Sequence, residues 1–388
     1  MIGSERSDRH RRVLEALLGV PATEGNAVTL LRNGDRIFPA MLTAIREAER
    51  SIDLLTFVYW TGDIARQFAL ELAARAAAGV RVRVLLDAVG ARRIDDELID
   101  TMTGAGVDVR WFRPVRRGDV GDVAHRTHRK VLVVDETIGF TGGVGIAEEW
   151  TGDAGGPDEW RDTHVRIVGP AVDGLRAGFI GNWLEAADRL ELDGIDRFPN
   201  HERAGATTAM IVRASAHVAH NDITTILEAL LVLAEEQVLI TTAYFSPDER
   251  LEQLLVDTAR RGVRVEVLVP GVHADKRFVQ LAGEESYERL LAGGVVVDCF
   301  EPSMLHAKVL TVDGTTAMLG SANVNSRSTV HDDEIALVVL DPRIVAELDE
   351  HRADDVVRST RLDLEQWRER STIQRVAEKV IDAIDDAL

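Results

Sequence analysis

The sequence contains two copies of a motif in which histidine is followed two residues later by lysine and seven residues later by aspartate. The motif residues are His128, Lys130 and Asp135 in the first copy and His306, Lys308 and Asp313 in the second. Neutral imidazole is a capable nucleophile near neutral pH, and a second imidazole can carry a proton. Lysine ammonium groups can spread the charge that develops on a phosphate. The doubled motif therefore indicates phosphodiester chemistry, with all six residues as catalytic candidates.

The spacing within each copy predicts how its residues are held. Side chains two residues apart project from the same face of a strand, so we expect each histidine to lie beside its own lysine. The aspartate follows an apolar run, VLVV in the first copy and VLTV in the second. At the end of such a strand, Asp135 and Asp313 are expected to hold structure or contact lysine rather than act on substrate.

Small residues follow each motif at the same distance. They are Gly142 and Gly143 in the first copy, and Gly320 and Ser321 in the second, where Asn323 follows. Glycine and small polar residues let backbone N–H groups and a hydroxyl approach a phosphate oxygen. We therefore include Gly143, Ser321 and Asn323 among the candidate substrate-binding residues.

A carboxylate completes each copy. Asp162 lies eight residues before a proline in WRDTHVRIVGP, and Glu334 lies eight residues before a proline in DDEIALVVLDP. A carboxylate that accepts from the far ring nitrogen of a histidine sets its tautomer and orientation. We expect each carboxylate to pair with the histidine of its own half, Asp162 with His128 and Glu334 with His306.

The elements that must position these residues are also duplicated, since residues 40–143 and 225–321 follow the same order. The predicted helices before and after the first strand of each half cover residues 40–50, 64–78, 226–236 and 249–261. Gly79 and Gly262 suit the position after a helix end. Alternating strands and helices predict an α/β fold with two mostly parallel or mixed sheets, flanked by helices around a pseudo-twofold axis.

The predicted division of the chain follows from this duplication. An N-terminal extension covers residues 1–26, a first half covers 27–200 and a second half covers 201–388, with a polar join near residues 193–205. A C-terminal helical segment, 362–388, is expected to close the second half.

The composition disfavours nucleic-acid binding, disulfides, metal sites and a spanning helix. The chain has 388 residues and a net charge of −20, which opposes the electrostatic binding of nucleic acid. One cysteine, Cys299, excludes an intrachain disulfide, and no acidic cluster has metal-ligand spacing, so neither a metal nor another cofactor is expected. No segment approaches the ~20 apolar residues of a spanning helix. We expect a cytoplasmic protein, peripheral at the inner face of the cell membrane.

Two further features have alternative interpretations. Residues 113–130 hold six basic residues against two acidic ones, a local charge of +4 that leads into the first motif. This segment is predicted to draw anionic headgroups toward the site, and the alternative is a solvated loop whose arginines pair with nearby acids.

Equivalent strands of the two halves end in aromatic residues, which are Tyr59, Trp60, Tyr244 and Phe245. We expect these side chains to pack in the core, and the alternative is that they form a wall of the site.

These motifs resemble those of the phospholipase D superfamily, over nearly all of the chain from about residue 27. The segments NGDRIFPAMLTAI, TFVYWTGDIA, HRKVLVVD, FTGG and WRDTHVRIVGPAV are similar to those of bacterial cardiolipin synthases and their relatives. The resemblance implies that one histidine attacks phosphorus to form a phosphohistidine while the other protonates the leaving alcohol. We assign these roles to His128 and His306 respectively. Gly145 and Asp332 depart from the family pattern, which usually has asparagine at both places.

The function expected from the residues and the resemblance is a phosphatidyltransferase acting on glycerophospholipids, with phosphatidylglycerol or a similar lipid as substrate. A phospholipase D that hydrolyses phospholipid to phosphatidic acid is the alternative. A nuclease and a non-catalytic lipid-binding protein are less favoured. The expected partners are phospholipids and the membrane surface, with no nucleic acid, and a monomer is compatible with the sequence.

Overall fold

A computed structural model describes residues 2–114, 125–186, 198–215, 221–275, 277–325, 328 and 331–369. Its helices are α1 (Ile2–Leu18), α2 (Gly34–Arg46), α3 (Asp63–Ala77), α4 (Asp96–Gly104), α5 (Val172–Glu185), α6 (Asp222–Leu233), α7 (Glu249–Arg260), α8 (Arg277–Ala292), α9 (Pro342–Val357) and α10 (Leu364–Arg368). The strands of the first half are β1 (Thr23–Arg32), β2 (Ser51–Thr56), β3 (Arg81–Asp87), β4 (Asp108–Phe112), β5 (Val131–Val134), β6 (Ile138–Gly142) and β7 (Thr163–Val168). The remaining strands are β8 (Thr207–Ala214), β9 (Gln237–Thr241), β10 (Phe245–Ser246), β11 (Arg264–Pro270), β12 (Val296–Phe300), β13 (Val309–Val312), β14 (Thr316–Gly320), β15 (Val324–Asn325), β16 (Glu334–Leu340) and β17 (Ser359–Arg361).

Fifteen of the described strands form one mixed sheet, and β10 and β15 form a separate two-stranded parallel sheet. The strand order of the large sheet is the same when read outward from its centre in both directions. From the centre, the first half runs β1-β7-β6-β5-β2-β3-β4 and the second runs β8-β16-β14-β13-β9-β11-β12, with β17 at that edge. The predicted duplicated α/β fold is therefore confirmed. The two predicted sheets are joined edge to edge, because β1 and β8 pair antiparallel.

Sequence periodicity accounts for most of these elements. Every residue of β2 and of β16 is buried, as expected for strands covered on both faces, and the buried Asp53 of β2 accepts from Arg83 at 2.8 Å. Gly79 and Gly262 follow α3 and α7 with φ of 91° and 92°, the left-handed conformation that glycine adopts without strain. Helix α2 begins at Gly34, six residues before the predicted start, because residues before Pro39 already bury an apolar face.

Each motif aspartate ends a strand and ties it to the neighbouring strand. Asp135 follows β5 with φ of 51°, and its carboxylate accepts from three successive backbone N–H groups, those of residues 49, 50 and 51, at 2.6–2.9 Å. Asp313 follows β13 with the same φ and accepts from the N–H groups of residues 235, 236 and 237 at 2.8–2.9 Å. Asp135 and Asp313 thus have the structural role that was expected of them. Their carboxylates bind these backbone amides rather than the motif lysines.

The N-terminal segment packs on the second half of the fold although it precedes the first. Leu14 of α1 is fully buried in the core that contains Ile226 and Leu230 of α6. His10 Nδ1 lies 2.8 Å from the hydroxyl oxygen of Thr316, at the start of β14. The division at residues 26 and 200 stays a prediction. At the other end of the chain, α10 is described, and the rest of the predicted C-terminal helix lies outside the described residues.

Replacing Asp313 with alanine should lower the free energy of unfolding by about 2–4 kcal/mol, because three N–H groups lose one charged acceptor. Urea denaturation of Asp313→Ala beside wild type would measure this. The control is Glu97→Ala, which removes a carboxylate from exposed helix surface and should change the free energy by less than about 0.5 kcal/mol. Equal midpoints for the two variants would contradict the structural role of Asp313.

Candidate active site

The histidines lie on extended segments just before β5 and β13, not on these strands as predicted. In the first copy, the His128 N–H donates to the Asp333 carbonyl at 2.8 Å, and the Asp333 N–H donates to the Arg126 carbonyl at 2.8 Å. In the second copy, Arg161 makes the same two bonds with the backbone of residues 304 and 306, at 2.9 and 2.7 Å. The backbone before each histidine therefore pairs in parallel with the backbone just before the strand that begins at or directly after the carboxylate of the other half, β16 for His128 and β7 for His306.

This crossed backbone pairing determines which carboxylate each histidine meets. His128 Nδ1 lies 3.0 Å from Glu334, and His306 Nδ1 lies 2.8 Å from Asp162. The prediction that each carboxylate pairs within its own half was therefore wrong. The reason is that His128 and Glu334 each follow directly after the paired residues of their segments, so their side chains meet across the two halves.

Both motif lysines are buried beside their histidines, on the side predicted from their spacing. Lys130 Nζ donates to the His128 carbonyl at 2.7 Å, and Lys308 Nζ lies within 3.1 Å of both ring nitrogens of His306. Burial lowers the pKa of Lys130 to about 8. Burial, with repulsion from Lys130, lowers the pKa of Lys308 to about 7, although Asp162 opposes the shift. Two cations thus converge where an anion would be bound.

The two histidine–carboxylate pairs differ electrostatically. Burial lowers the pKa of His128 to about 4 against the opposing charge of Glu334, so its ring is neutral near pH 7. Burial raises the pKa of Glu334, but the charges of His128 and Lys130 and hydrogen bonds from His128 and Ser321 outweigh it and bring the value to about 2. The pKa of Asp162 is instead raised by burial above its usual value. Different surroundings thus separate two chemically similar pairs.

The small residues after each motif lie against these carboxylates. The Ser321 hydroxyl donates to Glu334. A Cβ at Gly143 would lie 2.3 Å from an oxygen of Asp162, so only glycine fits there. Asn323 is 5% exposed, and its backbone N–H donates to Ser328 at 3.1 Å. A Cβ at Gly145 would lie 2.7 Å from Val58, which explains the missing asparagine in the first copy.

Aromatic rings surround the second histidine more fully than the first. Trp150, Trp160 and Tyr244 lie with ring centroids 5.1, 5.4 and 6.4 Å from that of His306. Phe57 lies 5.2 Å from His128. Tyr244 thus faces the site, whereas its strand-end companions Tyr59 and Phe245 are buried in the core as expected. The sequence pattern gave no signal for Trp150 and Trp160, which lie between β6 and β7, with Trp150 at the end of a short 3-10 helix, Glu148–Trp150.

The basic segment 113–130 lies partly outside the described residues, which omit 115–124 and with them Arg116 and Arg117. Its described arginines bind acids or carbonyls. Arg113 donates to Glu185 at 2.5 Å, and Arg126 donates to buried Asp87 at 3.0 Å. These contacts favour the alternative of paired arginines for this part of the segment.

Within the part of the chain that the structure describes, no group of three or more histidine, cysteine, aspartate or glutamate side chains is arranged to hold a metal ion. None of the described helices has both the length and the apolar character needed to cross a bilayer.

Comparison with known families and sequences gives a consistent match. Residues 41–151 and 227–355 match the family described as cardiolipin synthase, PLD-like domain. Cardiolipin synthase 1 of Bacillus cereus is 30% identical over 393 residues, which cover 99% of this chain and 77% of that protein. Cardiolipin synthase A of Pseudomonas fluorescens is 32% identical over 380 residues, covering 97% and 78% respectively.

Among solved structures, the crystal structure of phosphatidylserine synthase from Haemophilus influenzae superposes with a TM-score of 0.74. The alignment covers 98% of both chains at 15% sequence identity. At this identity the likeness establishes the shared fold. The duplicated sheet is thus one instance of a known architecture.

Affinity for a small anion should weaken as pH rises, because the protonated lysines lose charge through pKa values of about 8 and about 7. Sulfate is a suitable probe, since its own charge is constant over this range. We expect calorimetric titration to give a Kd about tenfold weaker at about pH 9 than at about pH 6. Lys308→Arg, whose guanidinium stays charged, should flatten this dependence. An affinity independent of pH in the wild type would contradict it.

Proposed function

The chain belongs to the cardiolipin synthase family of the phospholipase D superfamily, and from this we propose that it transfers a phosphatidyl group between glycerophospholipids. The observation that carries the proposal is the pair of crossed histidine–carboxylate contacts, His128 with Glu334 and His306 with Asp162. Together with two buried lysines, they supply a nucleophile, a proton carrier and positive charge at one place.

The first step is attack on phosphorus by Nε2 of His128. Its Nδ1 is engaged with Glu334, its ring is neutral near pH 7, and its side chain is 12% exposed against 6% for His306. The P–N bond forms as the ester bond to the leaving alcohol breaks, and His306 in its protonated form donates a proton to that alcohol. Lys130 and Lys308 bind the phosphate oxygens and stabilise their charge.

The second step reverses these roles. His306, now neutral, takes the proton from an incoming alcohol, whose oxygen attacks phosphorus. The P–N bond breaks and His128 is regenerated. Asp162 stabilises His306 while the ring carries its proton. The reaction returns both histidines to their starting states, and the acceptor alcohol determines the product.

Transfer to a lipid alcohol is favoured over transfer to water. Trp150, Trp160 and Tyr244 surround His306, the residue that activates the acceptor. An apolar wall at this position lowers the local water concentration and suits the apolar part of a lipid acceptor. Hydrolysis to phosphatidic acid is the second candidate function, since water can attack the same intermediate.

The lipid substrates require contact with a membrane surface, and we propose peripheral attachment at the inner face of the cell membrane. The crossed site uses residues of both halves of one chain, so a monomer is sufficient for activity. No nucleic acid is proposed as a partner, given the net charge of −20.

Incubation with phosphatidylglycerol vesicles should yield cardiolipin and glycerol, because the headgroup glycerol of one lipid leaves and that of a second attacks. Mass spectrometry of the extracted lipids and an enzymatic glycerol assay would measure both products. Phosphatidic acid formed without any cardiolipin would replace transfer with hydrolysis. Persistent DNA cleavage above about 0.2 M salt would instead favour a nuclease.

His128→Ala and His306→Ala should each lower turnover by roughly 10³-fold or more, since each removes an essential group from one mechanism. EDTA should have little effect. With a ³²P-labelled diester that has an activated leaving group, label should accumulate on His306→Ala and not on His128→Ala. The reverse labelling pattern would exchange the two roles. His201→Ala, which removes a histidine paired with Asp173 at 2.8 Å, serves as the control and should retain activity.

A further inference from the structure

The two carboxylates of the site are held by different second donors. Glu334 accepts from His128 and from the Ser321 hydroxyl. The residue equivalent to Ser321 in the first half is Gly143, which has no side chain to donate to Asp162. A serine could not be accommodated there, because its Cβ would lie 2.3 Å from a carboxylate oxygen of Asp162.

Trp150 fills this role in the first half. Its indole Nε1 donates to Oδ2 of Asp162 at 2.9 Å, the same oxygen that lies 2.8 Å from His306 Nδ1. The other oxygen, Oδ1, accepts from the Thr163 N–H at 2.7 Å. The Trp150 ring also packs edge-on against His306, with centroids 5.1 Å apart and planes at 87°. One side chain thus contacts both members of the pair.

The surroundings of Trp150 restrict it to this position. The side chain is 2% exposed and packs against Trp160 at 4.4 Å between centroids. Its backbone carbonyl is so close to α2 that a Cβ at Gly34 would lie 2.0 Å from it. Trp150 lies seven residues after Gly143, and the residue seven positions after Ser321 is Ser328, whose hydroxyl accepts from the Asn323 N–H instead. The tryptophan is therefore specific to the half that lacks the serine.

We propose that Trp150 is a positioning residue whose indole N–H replaces the missing serine hydroxyl, orienting Asp162 and through it His306. The inference deepens the proposed function and rests on it, because it concerns the histidine that we assign to proton transfer. Its consequence is that the two halves hold their histidines by chemically different means.

The charged groups around Asp162 predict how loss of the hydrogen bond from Trp150 would change the pKa of this carboxylate. Burial raises the pKa of Asp162, while Lys308, the Thr163 N–H, the Trp150 N–H and His164 oppose that shift. His306 and Lys130 also face the carboxylate. Removing the indole N–H takes away one group that stabilises the anion, so the pKa of Asp162 should rise further. Since the anion is needed to support His306, the acidic limb of the rate profile should move to higher pH.

Trp150→Phe should therefore lower kcat for phosphatidylglycerol about tenfold or more and shift the acidic limb of the pH–kcat profile upward. The comparison variant is Trp160→Phe, the same change in a ring that contacts His306 at 5.4 Å and Trp150 rather than Asp162. Because Trp160 belongs to the apolar wall, its readout is the pH profile rather than kcat, and its acidic limb should stay at the wild-type pH. An aryl phosphodiester, bis(4-nitrophenyl) phosphate, provides the second readout. Its leaving group needs no proton, so the initial burst of nitrophenolate should fall less than about threefold in Trp150→Phe.

Two measurements keep the inference testable if Trp150→Phe folds poorly or if lipid transfer fails. Site-specific incorporation of 3-benzothienylalanine at position 150 replaces the indole N–H with sulfur in a ring of nearly the same size. The downfield NMR signal of the His306 Nδ1 proton, read with labelled histidine, requires no turnover. We expect this signal in the wild type and Trp160→Phe, and its loss or shift in both position-150 variants.

The outcomes separate the two proposals. An unchanged proton signal and an unchanged acidic limb in both position-150 variants would overturn the role of Trp150. A wild type that releases no product from either substrate would overturn the proposed function, while the NMR comparison would still decide the role of Trp150.

Discussion

The site depends on the pairing of each histidine segment with the backbone that leads into the carboxylate strand of the opposite half. Only a few backbone hydrogen bonds make this contact, around Asp333 on one side and Arg161 on the other. They set the register that places His128 beside Glu334 and His306 beside Asp162. The rest of the sheet maintains this register. The central β1–β8 pair joins the two halves, and the motif aspartates hold the strands that follow each histidine against their neighbours.

Much of the fold could be predicted from local patterns. Helical periodicity, buried apolar runs and the glycines after α3 and α7 are features of neighbouring residues, and the duplication made each of them visible twice. The strand-ending role of Asp135 was predictable for the same reason. The helix boundaries were less so, since α2 extends through Pro39, where a rule based on proline alone would begin it later.

The residues of the site could be predicted from the sequence, but the contacts between them could not. Both histidines, both lysines and both carboxylates were found from spacing, but the pairing of carboxylate with histidine joins residues that lie 144 and 206 positions apart. No periodicity encodes such a contact. The alignment of two similar halves even favoured the wrong pairing, because it compared each half with itself. Trp150 was missed for a related reason, since its role becomes visible only beside the empty position at Gly143.

The crossed pairing also has a consequence for how such a chain can change over evolutionary time. Duplicated sequences usually diverge freely, because one copy can decay while the other retains the original activity. Here each copy contributes a histidine to one pair and a carboxylate to the other, so loss of one of these residues from either copy removes the partner of a residue in the other copy. Selection must therefore act on both copies together. Divergence is confined to changes that are compensated nearby, and the exchange of a serine hydroxyl for a tryptophan indole is a change of this kind.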